Sequence, residues 1–359
     1  MPRGASYGTE RIDRIDESTG LLVRQITSFP TISLHLHYET PTFTPDGRRM
    51  IFVSMRLPQR GAPWDLFTCQ SDGRDIVQLS DDEPQGMSCA CLSTDGQYAF
   101  SMHGGTAYRT RLQDAEDVEI GHVDGAGQHG YYRGSRSFDG RWYISMVRTK
   151  EGNVALVRWD LRTGEHTIAL EADGFNHPKA NPGGPEFQVA VKRRQPDGSE
   201  KAEHLCLNIG TLEPVTLPFK RGKYETAHNC WLGRSGKYHA TLKPPGHGVI
   251  LMTPDGEAPE LVAEGPYFWH SGSSYDGNWV VADTNWPDEG LWLINVETKK
   301  RERLCFTGTS AGHPQPTHNH ANMDENGAMA VFTSDRTGIT QVYVVYVPDQ
   351  MRERLSKRD

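Results

Sequence analysis

The 359-residue chain carries a formal net charge of −8, which argues against the basic surface that neutralises nucleic-acid phosphates, so we expect no nucleic-acid partner. A composition of 36% hydrophobic residues, with 37 glycines and 22 prolines, indicates a folded, turn-rich protein and excludes extensive disorder. No uncharged apolar run approaches the roughly 18 residues of a membrane-spanning helix, and the N-terminus has no apolar signal segment. We therefore expect a cytoplasmic protein with no membrane partner. The six cysteines form no Cys-x-x-Cys pair, which predicts buried free thiols.

In chain order, the first predicted strand covers residues 22–27 and has no partner nearby in the sequence. Seven short polar turns containing glycine follow it, and each precedes an alternating apolar strand. Asp-Gly and Asn-Gly turns of this kind favour β-hairpins because their residues tolerate positive φ angles. The turn glycines are Gly47, Gly96, Gly140, Gly184, Gly236, Gly277 and Gly327.

These turns recur 41 to 52 residues apart, with further short strands in each interval. A period of about 40 to 50 residues with four strands per repeat is typical of propeller blades. The seventh unit stops without a fourth strand, so the early strand is predicted to complete it and close the ring. We predict an all-β fold: a single seven-bladed β-propeller at residues 20–348, an N-terminal extension at 1–19 and a C-terminal tail at 349–359. A pair of β-sandwiches is the alternative, but seven equivalent units divide poorly between two domains.

Histidine recurs at one level of the predicted channel, which the first strand of each blade lines. His177, His270 and His320 each precede the turn glycine of their blade by seven residues. His228 precedes its own by eight. Four consecutive blades therefore place an imidazole at a similar depth. For any one of them a buried histidine bonded to a carbonyl is the alternative, but chance explains the set poorly.

A group of possible metal ligands lies just before the last turn. His318 and His320 are two residues apart, so in an extended strand both imidazoles point to one face, and Gln315 can reach it from the preceding loop. His270, in the adjacent blade, is the predicted fourth ligand. Nitrogen and amide oxygen ligands suit a divalent ion such as Mn, Fe, Co, Ni or Zn. A polar histidine-rich loop without a metal is the alternative for this segment considered alone.

His228 lies one blade from the predicted ion and is not needed as a ligand, so we interpret it as a general base. Four residues are candidates for binding an anionic substrate, and His177 is one of them. Lys179 shares a strand face with His177, Arg133 follows two tyrosines, and His37 lies in the first blade. A solvated charge is the alternative for Lys179 and Arg133 taken singly.

Together these motifs resemble those of a known family. They are the His-Pro dipeptide at residue 177, the segment Ala227–Trp231, His270, the Gln-x-x-His-x-His cluster from residue 315, and the following Phe332–Arg336. In their order and spacing over most of the chain, they are similar to those of the oligogalacturonate lyases, polysaccharide lyase family 22.

The resemblance implies a seven-bladed propeller that holds a manganese-type ion, with calcium, iron, nickel or zinc as alternatives. The implied ligands are His270, Gln315, His318 and His320. The family's proposed base corresponds to His228. Where the family has a catalytic-site arginine in blade four, this chain has His204, which we predict as a second catalytic residue.

These expectations lead to a metal-dependent lyase that cleaves short uronic-acid oligosaccharides, pectic oligogalacturonides foremost, by β-elimination. The metal would hold the uronate carboxylate while His228 abstracts the C5 proton. One alternative is another metal-dependent enzyme acting on a sugar acid, a hydrolase or an isomerase. The other is a non-catalytic propeller that serves as a binding module, which predicts no bound metal.

Overall fold

The computed structural model describes residues 2–57, 63–81, 84–215, 226–253, 259–284, 286–310 and 315–358. Across these residues the chain forms seven antiparallel sheets that follow one another in sequence as the blades of a β-propeller. The predicted all-β, seven-bladed architecture is confirmed. No helix in the described part of the chain is long and apolar enough to cross a membrane.

Three strands precede the first blade, and the first four blades follow in chain order. The entering strands are β1 (Ser6–Gly8), β2 (Ile12–Ile15) and β3 (Leu22–Gln25). Blade 1 contains β4 (Ser33–His35), β5 (Arg49–Ser54), β6 (Asp65–Gln70) and β7 (Ile76–Gln78). Blade 2 contains β8 (Ser88–Leu92), β9 (Tyr98–His103), β10 (Thr106–Arg111) and β11 (Asp117–His122). Blade 3 contains β12 (Ser135–Arg136), β13 (Trp142–Arg148), β14 (Val154–Asp160) and β15 (His166–Ala172). Blade 4 contains β16 (Gly174–Ala180), β17 (Glu186–Arg194) and β18 (Glu200–Asn208).

The remaining three blades are followed by one helix. Blade 5 contains β19 (Thr226–Trp231), β20 (Tyr238–Leu242), β21 (Gly248–Met252) and β22 (Glu260–Glu264). Blade 6 contains β23 (Phe268–Ser273), β24 (Trp279–Thr284), β25 (Leu291–Asn295) and β26 (Arg301–Cys305). A short 3₁₀ helix (Gln315–Thr317) leads into blade 7, which contains β27 (Asn322–Met323), β28 (Met329–Ser334) and β29 (Gln341–Tyr346). Helix α1 (Asp349–Ser356) lies in the C-terminal tail.

The N-terminal strand closes the ring, as predicted. β3 pairs antiparallel with β29, with Val23 opposite Val345, and so supplies the fourth strand of blade 7. The preceding residues also join the sheets: β2 adds a fifth strand to blade 7, and β1 pairs with β7 at the outer edge of blade 1. The same stretch of chain therefore contributes strands to the first and the last blade.

The turns that mark each blade are held by one local arrangement of side chains. In blade 2 the Ser93 hydroxyl donates a hydrogen bond to Asp95 (2.6 Å), and the same carboxylate accepts one from the backbone N–H of Gln97 (3.0 Å). Gly96 between them has φ +68°, a region that glycine enters without steric cost. The pair recurs as Thr44 and Asp46, Ser137 and Asp139, and Ser274 and Asp276. This chemistry is local, which is why the sequence spacing revealed the blades.

Neighbouring blades pack through large buried side chains. The rings of Phe100 in blade 2 and Tyr143 in blade 3 stack with their centroids 5.4 Å apart. The buried Tyr143 hydroxyl donates a hydrogen bond to the carbonyl of Cys89 (2.7 Å), which ties blade 3 to the innermost strand of blade 2. All six cysteines are buried free thiols, as predicted.

Candidate metal and catalytic site

Irregularities in the innermost strands turn the predicted histidines toward the channel. β16, β19 and β23 each show a break in register at the position of the histidine, between flanking residues that pair normally with the next strand. Such a bulge leaves residues unpaired and re-aims their side chains. His177 has φ +55° and His320 has φ +49°, left-handed conformations that are uncommon outside glycine. Strained backbone of this kind clusters at functional sites.

Three of these side chains form a compact nitrogen-ligand cluster. The ligand atoms of His270, His318 and His320 all lie within 4.8 Å of one another, and all three residues are buried. The side-chain amide nitrogen of Gln315 lies 3.0 Å from Nε2 of His320. Because the two ends of an amide differ only by assignment, a flip places its oxygen at the same point. The structure thus brings together the four predicted metal ligands.

Asp283, which the sequence analysis missed, orients His270. Its carboxylate accepts hydrogen bonds from Nδ1 of His270 (3.1 and 3.2 Å) and from the backbone N–H of the same residue (2.8 Å). It also accepts the backbone N–H of Ala321, in the segment that leads to β27 (3.1 Å). With Nδ1 committed to the carboxylate, Nε2 is the nitrogen left to bind a metal, an arrangement common around protein-bound ions.

The residues present fit a divalent metal ion. Burial, together with the nearby His37 and His270, holds the pKa of His320 well below its ordinary value, so this ring is neutral and its lone pair is available for ligation. Three imidazoles and one amide oxygen are ligands that suit manganese, iron, nickel or zinc.

His228 lies beside this cluster with one ring nitrogen occupied. Its Nδ1 donates a hydrogen bond to the carbonyl of Trp269 (2.7 Å), and its ring centroid lies 4.4 Å from that of His270. Burial, with smaller contributions from His270 and His177, lowers its pKa to about 2. The ring is therefore neutral, and Nε2 is the atom that can accept a proton.

A second cluster, the Glu39 cluster, occupies the other side of the channel. The carboxylate of Glu39, almost fully buried, accepts hydrogen bonds from Nδ1 of His177 (2.9 and 3.0 Å) and from Nζ of Lys179 (2.9 Å). The guanidinium of Arg133 lies 3.4 Å from the same carboxylate, and Nδ1 of His37 lies 3.3 Å from it. The predicted substrate-binding residues are thus joined by an acidic residue that the sequence analysis did not identify.

The charge balance of this cluster is positive. Burial alone would raise the pKa of Glu39, but the charges of His177 and Lys179 and the hydrogen bonds that the carboxylate accepts outweigh it and hold the pKa well below its ordinary value. Glu39 is therefore ionised. Against this one negative charge stand the two cationic side chains of Lys179 and Arg133, so a positive charge remains for an anionic ligand.

Tyr38 is a further residue that sequence reasoning missed. It is buried, its hydroxyl lies 3.4 Å from Nδ1 of His177, and its ring centroid lies 5.3 Å from that of His270 and 6.0 Å from that of His228. It thus packs between the metal-ligand cluster and the Glu39 cluster. Tyr38 also lines a cavity together with Tyr275 and other residues. None of the channel histidines lines this cavity.

His204 does not join the other predicted residues. It lies on β18, the outermost described strand of blade 4, where it pairs with Ala190 and is exposed. The innermost strand of this blade is β16, so a side chain on β18 belongs to the rim of the propeller. The structure therefore corrects the placement of His204 at the catalytic site. The residues that it does bring together around the channel are His37, Arg133, His177, Lys179, His228, His270, Gln315, His318 and His320.

Comparison with known proteins gives relatives over nearly the whole chain. No protein-family model matches. The chain is 28% identical over 377 aligned residues to the oligogalacturonate lyase of Dickeya dadantii (strain 3937). This alignment covers 94% of this chain and 96% of that protein. It is 28% identical to the oligogalacturonide lyase of Pectobacterium atrosepticum over 55% of this chain and 56% of that protein.

Two solved structures share the fold. An oligogalacturonate lyase in complex with manganese superposes with a TM-score of 0.78 at 20% identity, covering 98% of this chain and 100% of that one. The oligogalacturonate lyase of Vibrio parahaemolyticus superposes with a TM-score of 0.76 at 18% identity, covering 97% of this chain and 100% of that one. The resemblance to oligogalacturonate lyases that the sequence motifs indicate is confirmed.

Proposed function

We propose that this chain is a metal-dependent lyase that cleaves short oligogalacturonides by β-elimination. The observation that carries the proposal is the placement of a neutral His228 between a cluster of metal-ligand nitrogens and a cluster of net positive charge. The names of the full-length relative and of the two similar structures, all oligogalacturonate lyases, support a lyase with this class of substrate.

The reaction requires loss of a proton from C5 of a uronate, next to a carboxylate that is already negatively charged. A divalent ion held by His270, Gln315, His318 and His320 supplies Lewis-acid stabilisation of the negative charge that develops on that carboxylate. Manganese is the ion that we propose, because a similar structure is described as a complex with manganese.

His228 is the proposed base. Its Nδ1–H is bonded to the Trp269 carbonyl, so the ring is held in one tautomer with its lone pair on Nε2. A base must carry no proton before the reaction, and burial lowers the pKa of His228 so that its ring is unprotonated near neutrality. The fixed carbonyl contact also holds the ring against rotation, which keeps Nε2 in one direction relative to a bound uronate.

Arg133 is the proposed contact for the anionic substrate, and Lys179, whose three N–H donors are taken by Glu39 and Asn229, is proposed to contribute its positive charge from within the protein. The chain as a whole is negatively charged, so a polyanion needs a local positive site to bind. Lys179 is fixed by Glu39 and by the carbonyl and side-chain oxygens of Asn229 (2.5 and 2.7 Å). Arg133 lies over the ring of Tyr131, with its guanidinium carbon 4.6 Å from the ring centroid. These contacts hold both cations in place before substrate arrives.

The test is incubation of the purified protein with saturated and 4,5-unsaturated digalacturonate, with manganese or with a chelator. We expect chain shortening that depends on the metal and a rise in ultraviolet absorbance from the conjugated double bond. His228→Ala should lower kcat about 100-fold to 10,000-fold while the protein still binds manganese. Cleavage without new absorbance would identify a hydrolase instead. The absence of cleavage with any divalent metal would reject the pectic substrate.

A further inference from the structure

β-Elimination needs a second proton transfer that His228 does not supply. In a galacturonide, the C5–H bond and the C4–O4 bond are antiperiplanar, so the departing oxygen and the proton to be removed lie on opposite faces of the sugar ring. One imidazole cannot serve both atoms. The leaving oxygen of a sugar is a poor leaving group unless it receives a proton, so a separate acid is required. This requirement rests on the proposed function.

We propose that His177 is the general acid that protonates the departing O4, and that Glu39 is the residue that positions it. The structure contains the two parts of such a dyad: an imidazole open to the channel and a buried carboxylate bonded to its Nδ1 at 2.9 Å. The pairing of a histidine with a carboxylate that fixes its tautomer and orientation is the arrangement used in enzymes that transfer protons through imidazole.

The position of His177 relative to the base suits this role. The ring centroids of His177 and His228 lie 6.5 Å apart with an angle of 62° between their planes. Each ring has its Nδ1 bonded to the protein, to Glu39 in one case and to the carbonyl of Trp269 in the other. The same nitrogen, Nε2, is therefore left on both residues to meet a substrate. The two residues begin adjacent blades, so the base and the acid approach the channel from different directions.

Exposure distinguishes His177 from the metal ligands. Its side chain is 32% exposed, whereas that of His270 is 2% exposed. An acid that contacts O4 of an incoming oligosaccharide must be accessible before substrate binds, and a metal ligand need not be. The bulge in β16 and the φ of +55° place His177 in this open position, and its backbone N–H is anchored by a hydrogen bond to the Tyr131 hydroxyl (3.1 Å).

Glu39 does more than neutralise one partner. Its carboxylate is 1% exposed and bonds both Nδ1 of His177 and Nζ of Lys179, which lies two residues further along β16. Neither ring nor ammonium group can move without breaking a charge-assisted hydrogen bond. A positioning residue that bonds both the acid and the Lys179 ammonium group keeps His177 fixed beside the positive charge that attracts the uronate.

The reaction balances in protons and electrons. The C5–H bond breaks and its proton goes to Nε2 of His228, while its electron pair forms the C4–C5 double bond. The C4–O4 bond breaks with its electron pair on O4, which takes the proton from Nε2 of the His177 imidazolium. His177 ends as neutral imidazole with Nδ1–H still donated to Glu39, and exchange with water restores both histidines.

A leaving group that needs no proton tests the proposal. We would compare His177→Gln with the wild-type holoenzyme on digalacturonate and on a galacturonide whose O4 carries a 4-nitrophenyl group, because 4-nitrophenolate departs as a stable anion. We expect the variant to lose about 100-fold or more in kcat on digalacturonate and to stay within about threefold of wild type on the nitrophenyl substrate. His228→Ala should lose activity on both substrates.

Glu39→Gln provides a second variant with the same signature. It should reduce kcat on digalacturonate more than on the nitrophenyl substrate, a difference that a general loss of structure would not produce. Manganese content and circular dichroism check that each variant is folded. His166→Gln, a substitution of an exposed histidine on β15, is the matched control and should not change either rate.

Equal losses of His177→Gln on both substrates would overturn the proposal, because His177 would then bind or orient the sugar rather than donate a proton. Unchanged rates on both would also overturn it. If the wild type cleaves neither substrate, the proposed lyase function itself has failed. If the wild type cleaves the substrates and His177→Gln affects both equally, the proposed lyase function is retained. Only the role of His177 as the general acid is then rejected.

Discussion

The two sides of the channel both contain a histidine bonded to a carboxylate, but the proposed roles of the two histidines differ. On the metal side, Asp283 accepts a hydrogen bond from Nδ1 of His270, and the ligand atoms of His270, His318 and His320 lie within 4.8 Å of one another. In the Glu39 cluster, the carboxylate lies at the centre and bonds Nδ1 of His177 together with cationic side chains. His228, between them, has its Nδ1 bonded to an uncharged carbonyl. The partner of Nδ1 thus distinguishes a proposed ligand, a proposed base and a proposed acid, which are three histidines at equivalent places in the repeats.

Removal of one proposed ligand should abolish manganese binding by the His270, His318 and His320 cluster and most of the activity. His270→Ala is expected to abolish manganese binding and to lower kcat/KM by about 1,000-fold, because Lewis-acid stabilisation contributes several kcal/mol and each 1.4 kcal/mol is about tenfold in rate. Metal content by plasma mass spectrometry and the rate on digalacturonate measure the two effects.

A thermodynamic control accompanies this variant. Manganese at about 100 times its Kd should stabilise the wild type by about 2.7 kcal/mol and should not stabilise His270→Ala. Retained stabilisation by manganese in the variant would show that the ion binds elsewhere. It would contradict the assignment of the metal to the side of the channel that contains His270.

The Glu39 cluster should respond in stability as well as in activity. Glu39→Gln leaves buried cations without their counter-charge, so we expect a loss of about 3 to 5 kcal/mol in the free energy of unfolding at neutral pH. Urea denaturation of the metal-depleted proteins measures it. Lys179→Met with Glu39→Gln should recover part of the loss, because the double variant removes both charges.

The pH dependence of this loss has a definite sign. The pKa of Glu39 is held well below its ordinary value in the folded protein, so its contribution to stability is fully present above the ordinary value of about 4.3 and is lost as the pH falls from there toward the folded value. The difference between wild type and Glu39→Gln should therefore shrink below about pH 4.3. A difference that grows on acidification would contradict an ionised Glu39.

The contrast between the two sides also explains what could be predicted from the sequence. The proposed metal ligands are predictable because Gln315, His318 and His320 are close in sequence and because His270 recurs at the same distance from its turn. Arg133 precedes Gly140 by the same seven residues, so the spacing also predicts a channel position for this residue.

The Glu39 cluster had no comparable local signal. Glu39 lies 138 residues from His177 and 94 from Arg133 in the sequence, and it follows β4 in a segment without regular structure. Closure of the ring creates these contacts, and no periodicity records them. Asp283 was missed for a related reason: on a buried central strand, an acidic residue shows no pattern that distinguishes a support for a ligand from any other side chain.

Asp283→Asn should lower the affinity for manganese without abolishing binding. Residues that orient a metal ligand through its second nitrogen contribute about 10-fold to 100-fold in metal affinity. Asparagine retains a hydrogen-bond acceptor for Nδ1 of His270 but removes the negative charge, so we expect the Kd for manganese to rise within that range. Isothermal titration measures it. At saturating manganese the variant should recover most of its activity, and failure to recover would show that Asp283 acts on the reaction itself.

His204→Ala should have the smallest effect, and it tests whether the active groups are confined to the channel. His204 is exposed on β18, two strands outward from β16, where His177 and Lys179 lie. Substitutions at exposed positions that hold no special backbone conformation usually change stability by less than about 0.5 kcal/mol. We therefore expect a folded variant, and we expect its kcat/KM to stay within about twofold of wild type because His204 is exposed on β18, away from the channel residues. A tenfold loss of activity with unchanged manganese content would mean that the outer strand of blade 4 contacts the substrate, because an exposed side chain on β18 has no route to the metal through the buried core of the blade.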